Sequence, residues 1–446
     1  MEKKETKFNA WIKRSITARM IVVGLLFVVL LIPLAFVDNL IQERKLRQEQ
    51  VINEINNKWG EEVILSGAIL KIPYKKVTEK ELFNEETGRK EIISKETIEN
   101  SYFFPKTLNI NGEVATKPLN RSIYKSVVFT TEIKADGQFP SQEILNKSLP
   151  EGEILWDKAT FMIQTSNLKG IRNTVEIVVN EKRLSMTPVY NNDGLRTIES
   201  EPFGSELIDN DLINFNFDLK INGSRSLKFI PLGSKTTAKV SSNWASPSFT
   251  GMFLPEDGSR KITKDGFEAS WKVLQINRQF EQVFYGRMPD LSPFSFGTDL
   301  IIPVSEYVKS ERTTKYGMLV IGLTLLVFLL IQLVSNIYIH PFQYIMVGLG
   351  LIMFYTLLIS ISEHSSFLKA YMISTAAVLA LITIYSKSIF RSNKFSMLIG
   401  VTLFSIYSFI YVIIQLEDYA LLVGSVGLFI ILSAVMYFSK KIDWNA

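Results

Sequence analysis

The chain has 446 residues with 49 basic and 44 acidic side chains, a formal net charge of +5. So small an excess over this length gives no case for nucleic-acid binding. With no cysteine, the chain can form no disulfide, thiol nucleophile or Cys-ligated metal site.

The N-terminal segment 1–19 is basic, with Lys3, Lys4, Lys7, Lys13, Arg14 and Arg19 against Glu2 and Glu5. An uncharged apolar run, 20–37, follows and is close to the ~20 residues needed to cross a bilayer. Basic residues stay in the cytoplasm, so the N-terminus is expected inside. The run exceeds a signal-peptide core and no small-x-small cleavage site follows Pro33, so it reads as a retained anchor. Pro33 removes one amide donor and is expected to bend the helix near its outer end.

After the anchor, Ile41, Ile52, Ile55 and Trp59 share one face at helical period, which predicts a helical stalk over 38–59 that stops at Gly60. The pattern then changes to period two. Ile213, Phe215, Phe217, Leu219 and Ile221 alternate with polar residues, and Asn222-Gly223 reads as the turn behind them. Phe267, Ala269, Trp271 and Val273 alternate likewise, and 174–180 is β-branched. Residues 60–310 are therefore expected to form a mainly β, sandwich-like domain. The string 108–112 echoes 219–223, and 137–140 echoes 251–255, which raises a duplicated β-module; chance repetition of strand and turn signals is the alternative.

Five further apolar runs lie near 317–334, 344–361, 370–385, 396–414 and 420–438, and a tail of 439–446 closes the chain. The expected fold is a multi-pass α-helical membrane protein with six transmembrane helices, arranged 1+5, around a large extracytoplasmic domain, 38–316. Lys387, Arg391 and Lys394, like Lys440 and Lys441, fall inside, while Glu363 and Glu417-Asp418 fall outside. Arg44, Lys45, Arg47, Lys309, Arg312 and Lys315 sit on the outer side of this topology; long translocated domains override such local charge.

Catalytic signatures are absent from the sequence. His340 and His364, the only histidines, are 24 residues apart across one span, or roughly 36 Å along a helix, too far to share a metal. Gly233-Ser234-Lys235-Thr236 lacks the glycines of a phosphate-binding loop and reads as a strand turn. No spacing singles out a carboxylate pair, so a non-enzyme without cofactor or metal is expected. The spans carry Gln332, Tyr355 and Tyr411 but no charge near a midpoint, which argues for helix–helix packing rather than ion-coupled transport. One candidate site is a docking cluster at the outer boundary, in which acidic turns (Glu363, His364, Glu417, Asp418) pair with basic stalk residues such as Arg312 and Lys315. Its bland alternative is ordinary interfacial capping, since exposed ion pairs contribute ~0–1 kcal/mol.

Several longer strings carry a resemblance. They include Trp59-Gly60, Ile72-Pro73-Tyr74, Pro231-Leu232-Gly233 and Pro247-Ser248-Phe249 in the β region. Near the C-terminus they are His340-Pro341-Phe342-Gln343-Tyr344, Leu416-Glu417-Asp418-Tyr419 and Lys441-Ile442-Asp443-Trp444. Together they resemble the inner-membrane CreD family over nearly the whole chain. The family's Asp-Leu-Arg-Gly string is here Asn167-Leu168-Lys169-Gly170, and its Thr-Arg pair is Ser439-Lys440. The resemblance implies a bacterial inner-membrane protein with a periplasmic domain, tied to cell-envelope integrity and envelope stress, and supplies no catalytic residue. The expected role is structural or adaptor-like, with the lipid bilayer and an unidentified envelope protein or lipid as partners. Handling or transport of a lipid or envelope precursor is the alternative.

Overall fold

The computed structural model describes residues 15–84, 89–140, 153–190, 195–204, 212–300, 306–335, 337–416 and 419–440. The basic residues before 15, the acidic turn residues Glu417 and Asp418, and the C-terminal string from Lys441 lie outside them. Contacts divide the chain into two units, one of Met1–Gln50 with Val304–Ala446 and one of Val51–Pro303.

A single 44-residue helix, α1 (Ile16–Trp59), passes from the first unit into the second and runs through Pro33. The expected anchor and stalk are thus one continuous element. In the first unit α1 is joined by α2 (Glu306–Lys315), α3 (Gly317–Ser335), α4 (Pro341–Ser362), α5 (Phe367–Phe390), α6 (Asn393–Gln415) and α7 (Ala420–Ser439). Among the described residues, α1, α3, α4, α5 and α6 are long and apolar enough to cross a membrane; α7 contributes a shorter apolar stretch, Leu421–Tyr437. Val23, Leu26, Leu30, Leu34, Val37 and Ile41 are buried at three- and four-residue spacing on α1, whereas Leu25, Val28, Ile32 and Phe36 are exposed. Close approach needs small residues. A side chain at Gly317 would lie 2.8 Å from Leu34, and one at Gly348 would overlap Leu30. The Tyr344 hydroxyl donates to Gln332 at 2.6 Å, so the buried amide of α3 bonds across to α4.

Among the described residues the second unit holds 17 strands. In chain order they are β1 (Val63–Asn84), β2 (Arg89–Phe103), β3 (Thr107–Arg121), β4 (Tyr124–Phe139), β5 (Glu153–Ile154) and β6 (Thr160–Thr165). Next come β7 (Glu176–Val179), β8 (Lys182–Val189), β9 (Arg196–Ser200), β10 (Ile213–Ser224), β11 (Ser226–Phe229) and β12 (Lys235–Ser242). The last are β13 (Pro247–Gly251), β14 (Lys261–Thr263), β15 (Gly266–Leu274), β16 (Val283–Tyr285) and β17 (Phe296–Leu300).

Pairing traces one path, β14–β15–β12–β3–β4–β10–β7–β8–β9–β6–β1–β11–β17–β13. The two layers expected of a sandwich are therefore one sheet curled into a nearly closed, barrel-like form of 14 strands. Strand β8 makes the corner: Lys182–Ser185 pair with β7 and Met186–Val189 with β9. Most pairs are antiparallel; β1–β11 and β3–β12 are parallel. The outer part of β1 pairs with β2 instead, and β2 in turn with β16.

Alternation behaves as the sequence predicts. Phe215, Phe217, Leu219 and Ile221 are at most 2% exposed, and their neighbours face out. At ~1.5–3 kcal/mol for each large apolar side chain, this inner face dominates the stability of the unit. Phe139 packs on Phe161 and Phe215 with ring centroids at 5.6 and 5.1 Å. Phe249 of β13 meets Phe267 and Trp271 of β15, both at 5.8 Å, so the far ends of the sheet path close through aromatic rings.

One expectation is corrected here, and the landmarks of the echo can be placed. Asn222-Gly223 is not a turn: β10 continues through both residues, which pair with Thr130 and Phe129. Glycine is needed at 223 because a side chain would meet the Phe129 ring at 2.5 Å, and β10 gives way to β11 at Arg225, φ +63°. The two echoing strings lie on β3 and β10, which flank β4 within the same sheet, while 137–139 belongs to β4 and 251 ends β13. Their second landmarks thus take unlike positions, and residues 51–303 form one unit rather than two.

Candidate functional site

The densest polar network of the β unit surrounds the C-terminal end of α1. Val51, Ile55 and Asn56 are buried there. The Trp59 indole N–H donates to the Phe129 carbonyl at 3.1 Å, and the Lys117 ammonium sits 3.9 Å from the Trp59 ring centre. The orientation that satisfies the Asn56 amide has its nitrogen donating to Ser126 at 2.7 Å and its oxygen accepting from Arg225 Nε at 3.2 Å. Arg225 also donates to Asn53, and Arg121 pairs with Glu54. Lys169 donates to the Asn57 carbonyl at 2.8 Å. A helix C-terminus carries partial negative charge and unpaired carbonyls, so this ring of cations is placed where it stabilises the helix end.

The helix stops where the sheet begins. Gly60 N–H donates to Asn56 O at 2.8 Å. A side chain at Gly60 or at Gly170 would overlap the backbone carbonyl oxygen of Asn222. That same oxygen accepts from Asn167 Nδ2 at 3.0 Å, and Asn167 Oδ1 accepts from Gly170 N–H at 3.0 Å. In its satisfied orientation the Asn222 amide donates to Thr130 at 2.9 Å and accepts from Arg172 Nε at 2.9 Å and Nη2 at 3.0 Å. Two glycines and two asparagines from three separate chain regions therefore converge on one carbonyl. The arrangement fixes position.

In the membrane unit, the predicted docking residues divide. Glu363, in the turn after α4, accepts from the Tyr307 hydroxyl at 3.1 Å and lies 3.9 Å from Arg44 Nε. Lys45 pairs with Glu311 at 3.0 Å, and Lys315 with the same carboxylate at 3.2 Å. The hydrogen bond from Lys45 is the main cause holding the Glu311 carboxyl down at about 2. Lys315 thus bonds within its own helix, while Glu417 and Asp418 lie outside the described residues. His364 is exposed and Arg312 half-buried. Tyr307 and Glu311 were missed from sequence; the lone acid in the basic stretch from Lys309 to Lys315 was the available signal.

One buried cation was also missed. Arg278 is 5% exposed, lies 4.3 Å from the Phe280 ring centre and donates to Gln282, but its Nε and Nη1 have no partner. Burial lowers its pKa to about 10. Among the described residues no group of three or more His, Asp or Glu side chains is placed to hold a metal.

Comparison with known proteins agrees with this architecture. The family profile described as "Inner membrane protein CreD" matches residues 15–445. The curated "Inner membrane protein CreD" of Escherichia coli (strain K12) is 27% identical over 421 residues, covering 94% of this chain and 91% of that protein. Helices fit to span a bilayer, a large β unit between the first and the rest, and a match over almost the full length lead to one conclusion: the chain belongs to the CreD family of inner membrane proteins.

Proposed function

We propose that this protein spans the inner membrane six times, with both termini inside and the β unit in the periplasm, and that it supports the cell envelope as a non-catalytic structural or adaptor protein. The sixth span is α7, whose apolar stretch Leu421–Tyr437 is predominantly exposed. Sidedness rests on the basic segment before α1 and on Lys387, Arg391 and Lys394 between α5 and α6. The observation that carries the functional reading is the locked junction: α1 ends inside a hydrogen-bonded seat built from β3, β4, β10 and the 167–172 loop. A helix end held in this way is fixed in place within the β unit. Arg44, Lys45, Glu311 and Glu363 serve the same purpose within the bundle, holding α1 against α2 and the turn after α4. The β unit packs its interior with phenylalanine, which favours an adaptor surface over an internal carrier channel.

The test is photo-cross-linking in cells from exposed positions of the β unit. Capture of envelope proteins is expected; recovery of lipid alone would overturn the adaptor reading. Because the chain has no cysteine, a single Tyr190→Cys variant reports sidedness: residue 190 is 94% exposed and is expected to react with an impermeant maleimide added to spheroplasts. Labelling only after lysis would overturn the periplasmic assignment.

A further inference from the structure

We propose that the outer face of strands β12, β3, β4 and β10 binds an uncharged, polyhydroxylated chain, that is, an oligosaccharide. The face is concave at two places. One depression of about 630 Å³ is lined by Glu113, Thr130, Glu132, Lys220, Ser241 and Asn243. A second of about 480 Å³ is lined by Asn109, Asp136, Gln138, Asn214, Asn216 and Lys235. Each takes residues from all four strands, so both lie on one continuous surface.

Strand register arranges that surface as rungs. Lys235–Thr107–Gln138–Asn214 form the first and Thr237–Asn109–Asp136–Asn216 the second. Lys239–Asn111–Lys134–Asp218 form the third and Ser241–Glu113–Glu132–Lys220 the fourth. Successive rungs are two residues apart, so the four cover roughly 20 Å, a length suited to a chain rather than a single small molecule.

The chemistry narrows the ligand. Four lysines on the rungs are matched by four carboxylates, so the face attracts neither a polyanion nor a polycation. No aliphatic or aromatic side chain stands on the four rungs; of the apolar groups lining the depressions, Val114 and Phe215 are buried beneath the sheet and Ala115 offers one methyl, too little for an apolar ligand. What remains is a dense, neutral mixture of donors and acceptors, and the partner that uses both is a hydroxyl. Part of the array is already oriented: Asn109 donates to Asp136 at 2.9 Å and accepts from Thr237 at 2.7 Å, while Gln138 donates to Asn214 at 3.0 Å. Pre-oriented groups lose less freedom on binding. The exposed amides of Asn111 and Asn216 have no hydrogen-bond partner among the described residues and are the free contacts. This inference does not depend on which side of the membrane the unit faces.

The test is titration calorimetry on the full chain in lipid nanodiscs, which avoids sugar-headed detergents. The probes are chitotetraose and maltotetraose, with a sulfated oligosaccharide, tetralysine and an uncharged extended peptide as comparators. Saturable binding of an uncharged oligosaccharide is expected. It should weaken about thirtyfold in Asn111→Ala/Asn216→Ala, as loss of two polar contacts at ~1 kcal/mol each would bring. Lys95→Ala, on β2, which pairs with β1 and β16 rather than with any of these four strands, should leave binding unchanged, and circular dichroism should show all variants folded. The proposal is overturned if neither sugar binds, if the double variant binds as the wild type does, or if a charged probe or the peptide binds more tightly.

Discussion

Replacing Gly60 by alanine should weaken the β unit far more than a single methyl group suggests. Gly60 does not adopt a left-handed conformation, so the cost is steric rather than conformational. The added carbon would overlap the Asn222 carbonyl oxygen and lie 2.8 Å from its carbon and 3.0 Å from Asn167 Nδ2. The Asn222 backbone cannot easily yield, because it is paired with Thr130 in the middle of the sheet. Overpacking costs ~1–3 kcal/mol, and displacing the buried Asn167–Asn222 hydrogen bond ~1–3 kcal/mol more. For a unit of this size a total of ~2–6 kcal/mol lowers the melting temperature by about 4–24 °C. The measurement is thermal unfolding of the full chain followed by near-ultraviolet circular dichroism. Gly204→Ala, which meets nothing within 4 Å, is the control and should change stability by less than ~0.5 kcal/mol. Gly170→Ala presses on the same oxygen, so the Gly60→Ala/Gly170→Ala pair should cost less than the sum of its parts. Additive costs, or a Gly60→Ala melt within ~2 °C of the control, would refute the idea that both glycines exist for one carbonyl.

Asn167→Ala removes the donor to Asn222 and the acceptor for Gly170 at a position 5% exposed, and should cost ~1–3 kcal/mol, checked by the same melt. Glu311 titrates far below an ordinary carboxyl, so its contribution is fully present above about pH 4.5 and is lost as pH falls through about 2. Wild-type bundle stability should therefore fall more between pH 5 and pH 3 than that of Glu311→Gln, measured by melting at both pH values; parallel profiles would refute the Lys45 assignment. Arg278→Met keeps similar bulk while removing a buried cation with two unpaired donors, so it should be neutral or stabilising by ~1–2 kcal/mol in denaturant unfolding.

The sequence displayed what repeats and concealed what converges. Uncharged runs marked the membrane helices because lipid demands apolar length, and period-two alternation marked β10 and β15 because one face of each is buried. Local rules failed where a distant contact decided the outcome. Asn222-Gly223 has the composition of a hairpin turn, yet Phe129, Val63, Gly60 and Gly170 close around it and keep it extended in β10. The curl of the sheet was equally hidden, since β8 differs from its neighbours only in changing partners halfway along. The junction residues lay in strings that the family resemblance had drawn out, Trp59-Gly60 as a match and Asn167–Gly170 as a departure, but their spacing in the chain gives no reason for them to meet. The physical reason is the carbonyl of residue 222. A helix end and a tight loop can both reach it only if their nearest residues lack side chains, and Asn167 then holds the loop in place by bonding that same oxygen. A larger residue at 60 or 170 would separate helix from sheet, which is why both positions should tolerate substitution poorly.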